Sequence, residues 1–221
     1  MHLMGGAHVV ACRTQAATRS NINSTVGYNR INPHAIYQTI RLDLQMTQNN
    51  DPIAAARTWL KEWVIGLNLC PFARDPHDKN RIRFMMDDSS DPYESLSRII
   101  LEIGHLRSGE SQTTLIVYPG DGPFREFDDF MDYCAAANDL LRSQNLDRDI
   151  QLAYFHPHYV FEDSPENDPA NQVNRSPSPI LHLLRVKDVE EAIQRHPDTA
   201  GISFANMKKL RAMEKEKKTK A

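Results

Sequence analysis

The chain has 221 residues, of which 40% are hydrophobic and 25% are charged, and its net charge is −3 at pH 7. This length suits one domain with extensions, and the hydrophobic fraction is sufficient for a core. No apolar run reaches the roughly 18–20 residues that a membrane span needs, so we expect no membrane partner.

The charge is distributed unevenly along the chain. Residues 51–207 carry 15 basic and 26 acidic side chains, a net of −11, and the basic excess lies in the two termini. Since a nucleic-acid-binding domain normally has a basic surface on its folded part, we expect no nucleic-acid partner. Cys12, Cys70 and Cys134 fit neither a metal-binding spacing nor a disulfide framework, which favours a reducing, intracellular compartment.

Residues 1–47 are rich in Asn, Ser, Thr, Gln and Arg, and Asp43 is their single acid. This composition is typical of an organelle transit peptide, which predicts a mitochondrial or plastid location. The alternative is a disordered extension of a cytoplasmic protein, with Met46 as the natural start. In both cases we predict one folded domain over 48–212 and a basic tail over 213–221.

The folded part predicts helices that alternate with strands. A first helix starts at Asp51, with Pro52 at its first position, and ends near Asn68. Further helices are predicted over 91–106 and 127–141, from 188 and from 199, and strands over 81–86, 113–118, 150–156 and 180–184. Strands separated by helices favour right-handed crossovers and parallel pairing. We therefore predict an α/β fold with a sheet of about four strands, mainly parallel and covered by helices, in a single domain.

A polar loop of more than 20 residues separates the last two predicted strands. Loops of this length inside compact domains are uncommon and are usually functional or disordered. The loop therefore predicts the location of a site, and its candidate polar residues are His156, His158, Asp168, Asn171, Asn174 and Arg175.

His156 ends a predicted strand, where open α/β sheets bind their ligands, which favours an acid/base or ligand-orienting role. His156 and His158 also point to the same side of an extended segment, as two ligands of a divalent metal would. Asp163, Asp168 or His182 would then supply the third ligand. A structural role for His156 remains the third alternative.

Cys70 follows the first helix and precedes Pro71. A lone nucleophilic or metal-binding thiol and a small buried side chain are both consistent with this position. A thioredoxin-type site is not favoured, because the cysteine follows a helix and no second cysteine lies two residues away.

Arg175 carries a planar donor group that suits a carboxylate or phosphate, so it is a candidate anion clamp. The alternative is a salt bridge that holds the loop. Asn171, Asn174 and Ser176 surround it as candidate substrate-binding residues. His182 lies within an apolar strand, where it is either a hydrogen-bonded core residue or a substrate-binding residue.

Several segments together match a known family. They are WL at 59–60, VIGLNLCPFA at 64–73, DF at 129–130, FHP at 155–157, NRSP at 174–177 and LHLLR at 181–185. Over about 50–212 the chain resembles the bacterial and plastid-bearing-eukaryote family catalogued as domain of unknown function 1415. The resemblance implies an intracellular single-domain protein and supports the choice of site residues, but it supplies no reaction. Ser178 and His158 depart from the family pattern, which weakens a role for either.

Three functions are consistent with these residues. The leading hypothesis is a soluble enzyme that acts on a small anionic molecule, with Cys70 as nucleophile or ligand, His156 as acid/base and Arg175 as anion clamp. The second is a non-catalytic module that uses the same loop to hold a ligand or partner. The third is a metal-dependent hydrolase that uses His156, His158 and a loop carboxylate. No motif identifies a cofactor.

Overall fold

The computed structural model describes residues 51–195 and 199–220. The predicted leader, 1–47, lies outside the described residues. The helices are α1 (Pro52–Thr58), continued by a π-helix (Trp59–Ile65), α2 (Arg74–Asp78), α3 (Pro92–Ser108), α4 (Phe127–Ser143), α5 (Val186–Arg195) and α6 (Thr199–Lys220). The strands are β1 (Ile82–Met86), β2 (Thr113–Val117), β3 (Ile150–Phe155) and β4 (Ile180–Arg185). None of these described helices has both the length and the apolar character to cross a membrane.

The four strands form one mixed sheet in the order β1-β2-β4-β3. The α/β class and the four strands are confirmed, but the mainly parallel sheet is wrong. β1 and β2 are parallel, whereas β4 is antiparallel to both of its neighbours. The reason is that residues 156–179 contain only a short 3-10 helix (Pro169–Val173) and no crossover helix. A connection without a crossover brings β4 back beside β3 in the opposite direction.

The starts of α1 and α3 follow their local sequence. Asp51 accepts a hydrogen bond of 3.0 Å from the backbone N–H of Ile53, and Asp91 accepts one of 2.9 Å from that of Tyr93. Each aspartate is followed by a proline at the first helical position, where its missing N–H leaves no bond unmade.

The first helix widens into a π-helix, which the sequence pattern does not predict. The N–H of Gly66 bonds to the carbonyl of Lys61, five residues earlier, at 3.0 Å. A Cβ at Gly66 would lie 2.2 Å from the carbonyl oxygen of Glu62, so this position has no room for a side chain. Asn68, with φ 50°, then ends the helical path in the left-handed region that Asn tolerates. π-helical turns occur frequently at functional sites.

Two hydrophobic clusters lie on opposite faces of the sheet. The first face packs against α3 and α4, and its cluster includes Ile99, Ile116, Phe130, Cys134 and Leu183. Cys134 is buried, as its position on the apolar face of a helix predicts. The second face packs against α1 and the π-helix, with a contribution from α6; its cluster includes Trp59, Trp63, Leu115, Ile180 and Leu210. The second face carries a cavity, termed the main cavity.

Candidate functional site: an apolar cavity on the second face of the sheet

A cavity of about 250 Å³ lies between the π-helix, the segment 69–76, α5 and the second face of the sheet. Most of its lining is apolar, and includes Leu60, Leu69, Phe72, Leu115 and Leu184. Polar side chains also line the cavity, and they include Asp75, Gln112, Thr113, Asn174, His182, Arg185, Asp188 and Arg195. Ligand sites typically combine such an apolar lining with a small number of placed polar groups.

His182 forms part of the cavity wall at the centre of the sheet. In the strand register it lies between Leu115 of β2 and Ala153 of β3. Ala153 also lines the cavity, as does Ala192 of α5. Small side chains at these two positions leave room where larger ones would fill the space.

The electrostatic state of His182 follows from its surroundings. The ring is half-buried, and its Nε2 lies 2.5 Å from the hydroxyl oxygen of Thr113. Burial lowers the pKa of His182 from 6.5 to about 4, because the charged ring loses its hydration. The ring is therefore neutral at pH 7. The sequence left His182 open between a core role and a substrate-binding role, and the structure places it in the wall of a cavity.

Cys70 also lines this cavity, beside Pro71 and Phe72. Its side chain is partly buried and packs against the second-face cluster. Burial raises the pKa of the Cys70 thiol above its usual value, and this outweighs hydrogen bonds from the backbone N–H groups of Phe72 and Ala73. A neutral thiol at pH 7 is a weak nucleophile, because the thiolate is the reactive form.

His156 is fully buried and both of its ring nitrogens are occupied. Nε2 lies 3.1 Å from the carbonyl of Phe124, which can only accept, so Nε2 carries the proton. Nδ1 accepts a hydrogen bond of 3.1 Å from the backbone N–H of His158. The ring also stacks on Phe130, and burial lowers its pKa. This geometry favours the structural alternative for His156, since a general base needs a free lone pair.

Arg175 holds the long loop together through backbone carbonyls. Its Nε donates to the carbonyl of Tyr159 at 3.1 Å, and its NH2 group donates to that of Glu166 at 3.0 Å. The alternative predicted from the sequence was a salt bridge that holds the loop. Arg175 does hold the loop, but its partners are backbone carbonyls and not carboxylates. Arg175 also lines a separate depression of about 160 Å³ with Asp168 and Gln172.

The three residues predicted as catalytic therefore have different surroundings. Cys70 lines the main cavity, Arg175 lines the smaller depression, and His156 lies in the protein interior. Of the predicted substrate-binding residues, His182 and Asn174 line the main cavity.

The other two predicted substrate-binding residues bond within the loop. Asn171 is fully buried; its amide donates to the carbonyls of Pro165 and Glu166, and its oxygen accepts from the N–H of Phe161. The Ser176 hydroxyl donates to the carbonyl of Ser178 at 2.6 Å. Both side chains satisfy backbone groups that a buried loop would otherwise leave unpaired.

In the part of the chain that the structure describes, no ligand geometry matches the metal-binding hypothesis. Within the described ranges, no group of three or more His, Cys, Asp and Glu side chains is arranged to hold a metal ion. The rings of His156 and His158 lie 5.7 Å apart, but the His156 nitrogens are already committed. Asp168, a candidate third ligand, instead forms a two-pronged ion pair with Arg211 of α6.

Sequence reasoning missed the cavity and most of the residues around it. Thr113, Ala153 and Ala192 have no chemical signature in the sequence, and α5 was predicted only as a short helix. One feature of the sequence could have indicated the site. His182 interrupts an apolar strand, and a polar group in such a strand needs a partner such as Thr113.

A family model described as Protein of unknown function (DUF1415) matches residues 51–220. The resemblance seen in the sequence is confirmed over this range. Neither the comparison with curated proteins nor that with solved structures gave a match.

Proposed function

The chain belongs to the family described as Protein of unknown function (DUF1415), so its role has to be inferred from its site, and we propose that it binds a small, neutral, mainly apolar molecule in the main cavity. The observation that carries this proposal is the cavity of about 250 Å³ with its apolar walls. Pockets for drug-sized ligands have volumes of about 300–1,000 Å³, so the ligand of this cavity is smaller than a typical drug. A dry cavity of about 150 Å³ holds one benzene ring, which makes a bicyclic molecule a suitable probe.

The charged groups at the cavity favour a neutral ligand over the anionic molecule expected from the sequence. Two arginines line the cavity, and each has an acidic partner. Arg185 bonds to Asp188 at 2.7 Å, and Arg195 lies 3.7 Å from Glu191. An anion would have to compete with these carboxylates. Arg175, the predicted anion clamp, lines a different depression.

Binding is favoured over catalysis because of the protonation states at the cavity. An acid/base catalyst works best when its pKa lies near the operating pH. The pKa of His182 is lowered to about 4 and that of Cys70 is raised by burial. At pH 7 both groups are neutral, which suits a site that holds an apolar molecule.

The proposal is tested by filling the cavity. We expect Ala192→Trp to abolish binding of 2-methylnaphthalene, measured by calorimetry or by ligand-observed NMR, because the indole would occupy the ligand's space. The matched control is Ala136→Trp, an exposed position of α4 on the opposite side of the sheet, which should bind as the wild type does. Failure of the wild-type protein to bind any bicyclic probe, or equal binding by the Ala192 variant, would reject the proposal.

Thiol chemistry at Cys70 is the second candidate function. It is favoured by the two backbone N–H groups that donate to the sulfur and by the position of the thiol at the cavity. The sequence predicted a cleft formed by Cys70, His156 and Arg175, and Cys70 is the member of this set that lines the main cavity.

We expect Cys70 to react with iodoacetamide more slowly than glutathione does at pH 7. Its raised pKa leaves less thiolate, and the rate should keep rising with pH beyond the range where a free thiol levels off. Mass spectrometry of the peptide that contains residue 70 gives the rate separately from the other cysteines. A rate above that of glutathione would restore the thiol-enzyme hypothesis to first place.

A further inference from the structure

The hydrogen bonds of Thr113 determine which nitrogen of His182 carries the proton. The Thr113 hydroxyl oxygen lies 2.7 Å from the carbonyl of Leu183 and 2.5 Å from Nε2 of His182. A hydroxyl has one proton, and the carbonyl can only accept. Thr113 therefore donates to Leu183 and accepts from His182. It follows that His182 is protonated on Nε2.

The other ring nitrogen of His182 is then an acceptor. In the neutral ring only one nitrogen carries a proton, so Nδ1 presents a lone pair. Within the described ranges, no residue donates a hydrogen bond to Nδ1. The fully buried side-chain atoms that lack a partner do not include Nδ1, which means that this nitrogen is not fully buried. Nδ1 is therefore both unpaired and accessible, on a side chain that lines the cavity.

Within the described residues, no group around the ring donates a hydrogen bond to Nδ1. The flanking side chains in the sheet, Leu115 and Ala153, are apolar. The ring of Phe155 lies 6.3 Å away. The other titratable residues that line the cavity are Cys70, Asp75, Tyr154, Arg185, Asp188 and Arg195, and the amide side chains of Gln112 and Asn174 line it as well.

We propose that His182 selects the ligand of this cavity by accepting a hydrogen bond at Nδ1 from a hydroxyl or N–H group on an otherwise apolar molecule. This inference rests on the proposed function and specifies its ligand class: aromatic or aliphatic alcohols, phenols and N–H heterocycles. The physical reason is that the two kinds of ligand leave the lone pair of Nδ1 in different states. A donor satisfies Nδ1, whereas a purely apolar ligand would cover that nitrogen and leave it without any partner.

A matched pair of probes tests the selection. 2-Naphthol and 2-methylnaphthalene have the same ring system and nearly the same size, but only the first has a donor. Apolar burial alone favours 2-methylnaphthalene. We expect the wild-type protein to bind 2-naphthol about tenfold more tightly, as one net hydrogen bond in an apolar site would give.

The variant His182→Phe removes the acceptor and keeps an aromatic ring. We expect it to lose the preference for 2-naphthol, measured as the ratio of its affinities for the two probes. His105→Phe, at an exposed position of α3, is the matched control and should keep the wild-type preference.

A measurement on the wild-type protein keeps the test valid if His182→Phe does not fold. The ¹⁵N shifts of the His182 ring should report a proton on Nε2, and 2-naphthol should move the Nδ1 signal upfield, as a hydrogen bond to the lone pair does, whereas 2-methylnaphthalene should not. Equal affinity for both probes, or an unchanged Nδ1 signal, overturns the role of His182 while the cavity still binds. Absence of binding by both probes overturns the proposed function, and this inference with it.

Discussion

Replacing Trp63 with alanine is expected to lower the free energy of unfolding by about 3–5 kcal/mol. The indole is only 4% exposed and belongs to the second-face cluster. Its Nε1 also donates to the carbonyl of Gln172 at 3.2 Å, so it ties the π-helix to the 3-10 helix of the long loop. Removing it leaves a cavity and an unpaired carbonyl, and urea denaturation followed by circular dichroism measures the cost.

Two controls separate the contributions of Trp63. Trp63→Phe keeps much of the ring volume and removes the hydrogen bond, so it should cost less than the alanine variant. Phe204→Ala deletes an aromatic ring that is 71% exposed on α6, and it should cost less than about 0.5 kcal/mol. A loss below 1 kcal/mol for Trp63→Ala would contradict the packing of the π-helix described above.

Stability is expected to fall by about 3 kcal/mol between pH 7 and pH 4 through His182 alone. The pKa of its ring is about 4 in the folded protein and 6.5 without the protein environment. A lowered pKa means that the unfolded chain takes up the proton first. The contribution of His182 is therefore complete above pH 6.5, decreases as the pH falls from 6.5 to 4, and is lost below pH 4.

The difference between the wild type and His182→Phe isolates this effect. The other charged side chains at the cavity, such as Asp75 and Asp188, are unchanged in the variant, so their contributions largely cancel in the difference. We expect the stability of the wild type relative to the variant to decrease by about 3 kcal/mol over this range, and His105→Phe to follow the wild type throughout. A difference that does not change with pH would show that the ring is solvated.

Local signals made the helices and strands predictable. Asp51 and Asp91 each cap a helix that begins with proline, and the apolar residues between such caps show which face is buried. The π-helix was not predictable in this way, because Gly66 reveals its role only when the carbonyl of Glu62 approaches it. The direction of β4 was misjudged because strand-helix alternation was extended across a connection that has no crossover helix.

The site was harder to predict because polar residues in a sequence do not state what they bind. His156, Asn171 and Arg175 suggested a ligand site, yet each bonds to backbone groups. Asn171 and Arg175 bond within the loop, and His156 bonds to the carbonyl of Phe124 and the N–H of His158. A long loop that is packed against a domain has many backbone groups to satisfy, and its polar side chains do so. The cavity instead depends on which side chains are small at facing positions, such as Ala153 opposite His182, and on tertiary placement that spacing does not encode.

The place of β4 in the sheet also determines when the fold can be completed during synthesis. β4 is the last strand in the sequence, yet it lies between β2 and β3. Until residues 180–185 have been made, the edges of β2 and β3 that it will join remain unpaired, and such edges promote aggregation. Chains that terminate before Ile180 are therefore expected to aggregate or to be degraded, because they contain β1, β2 and β3 but lack β4, which joins β2 to β3.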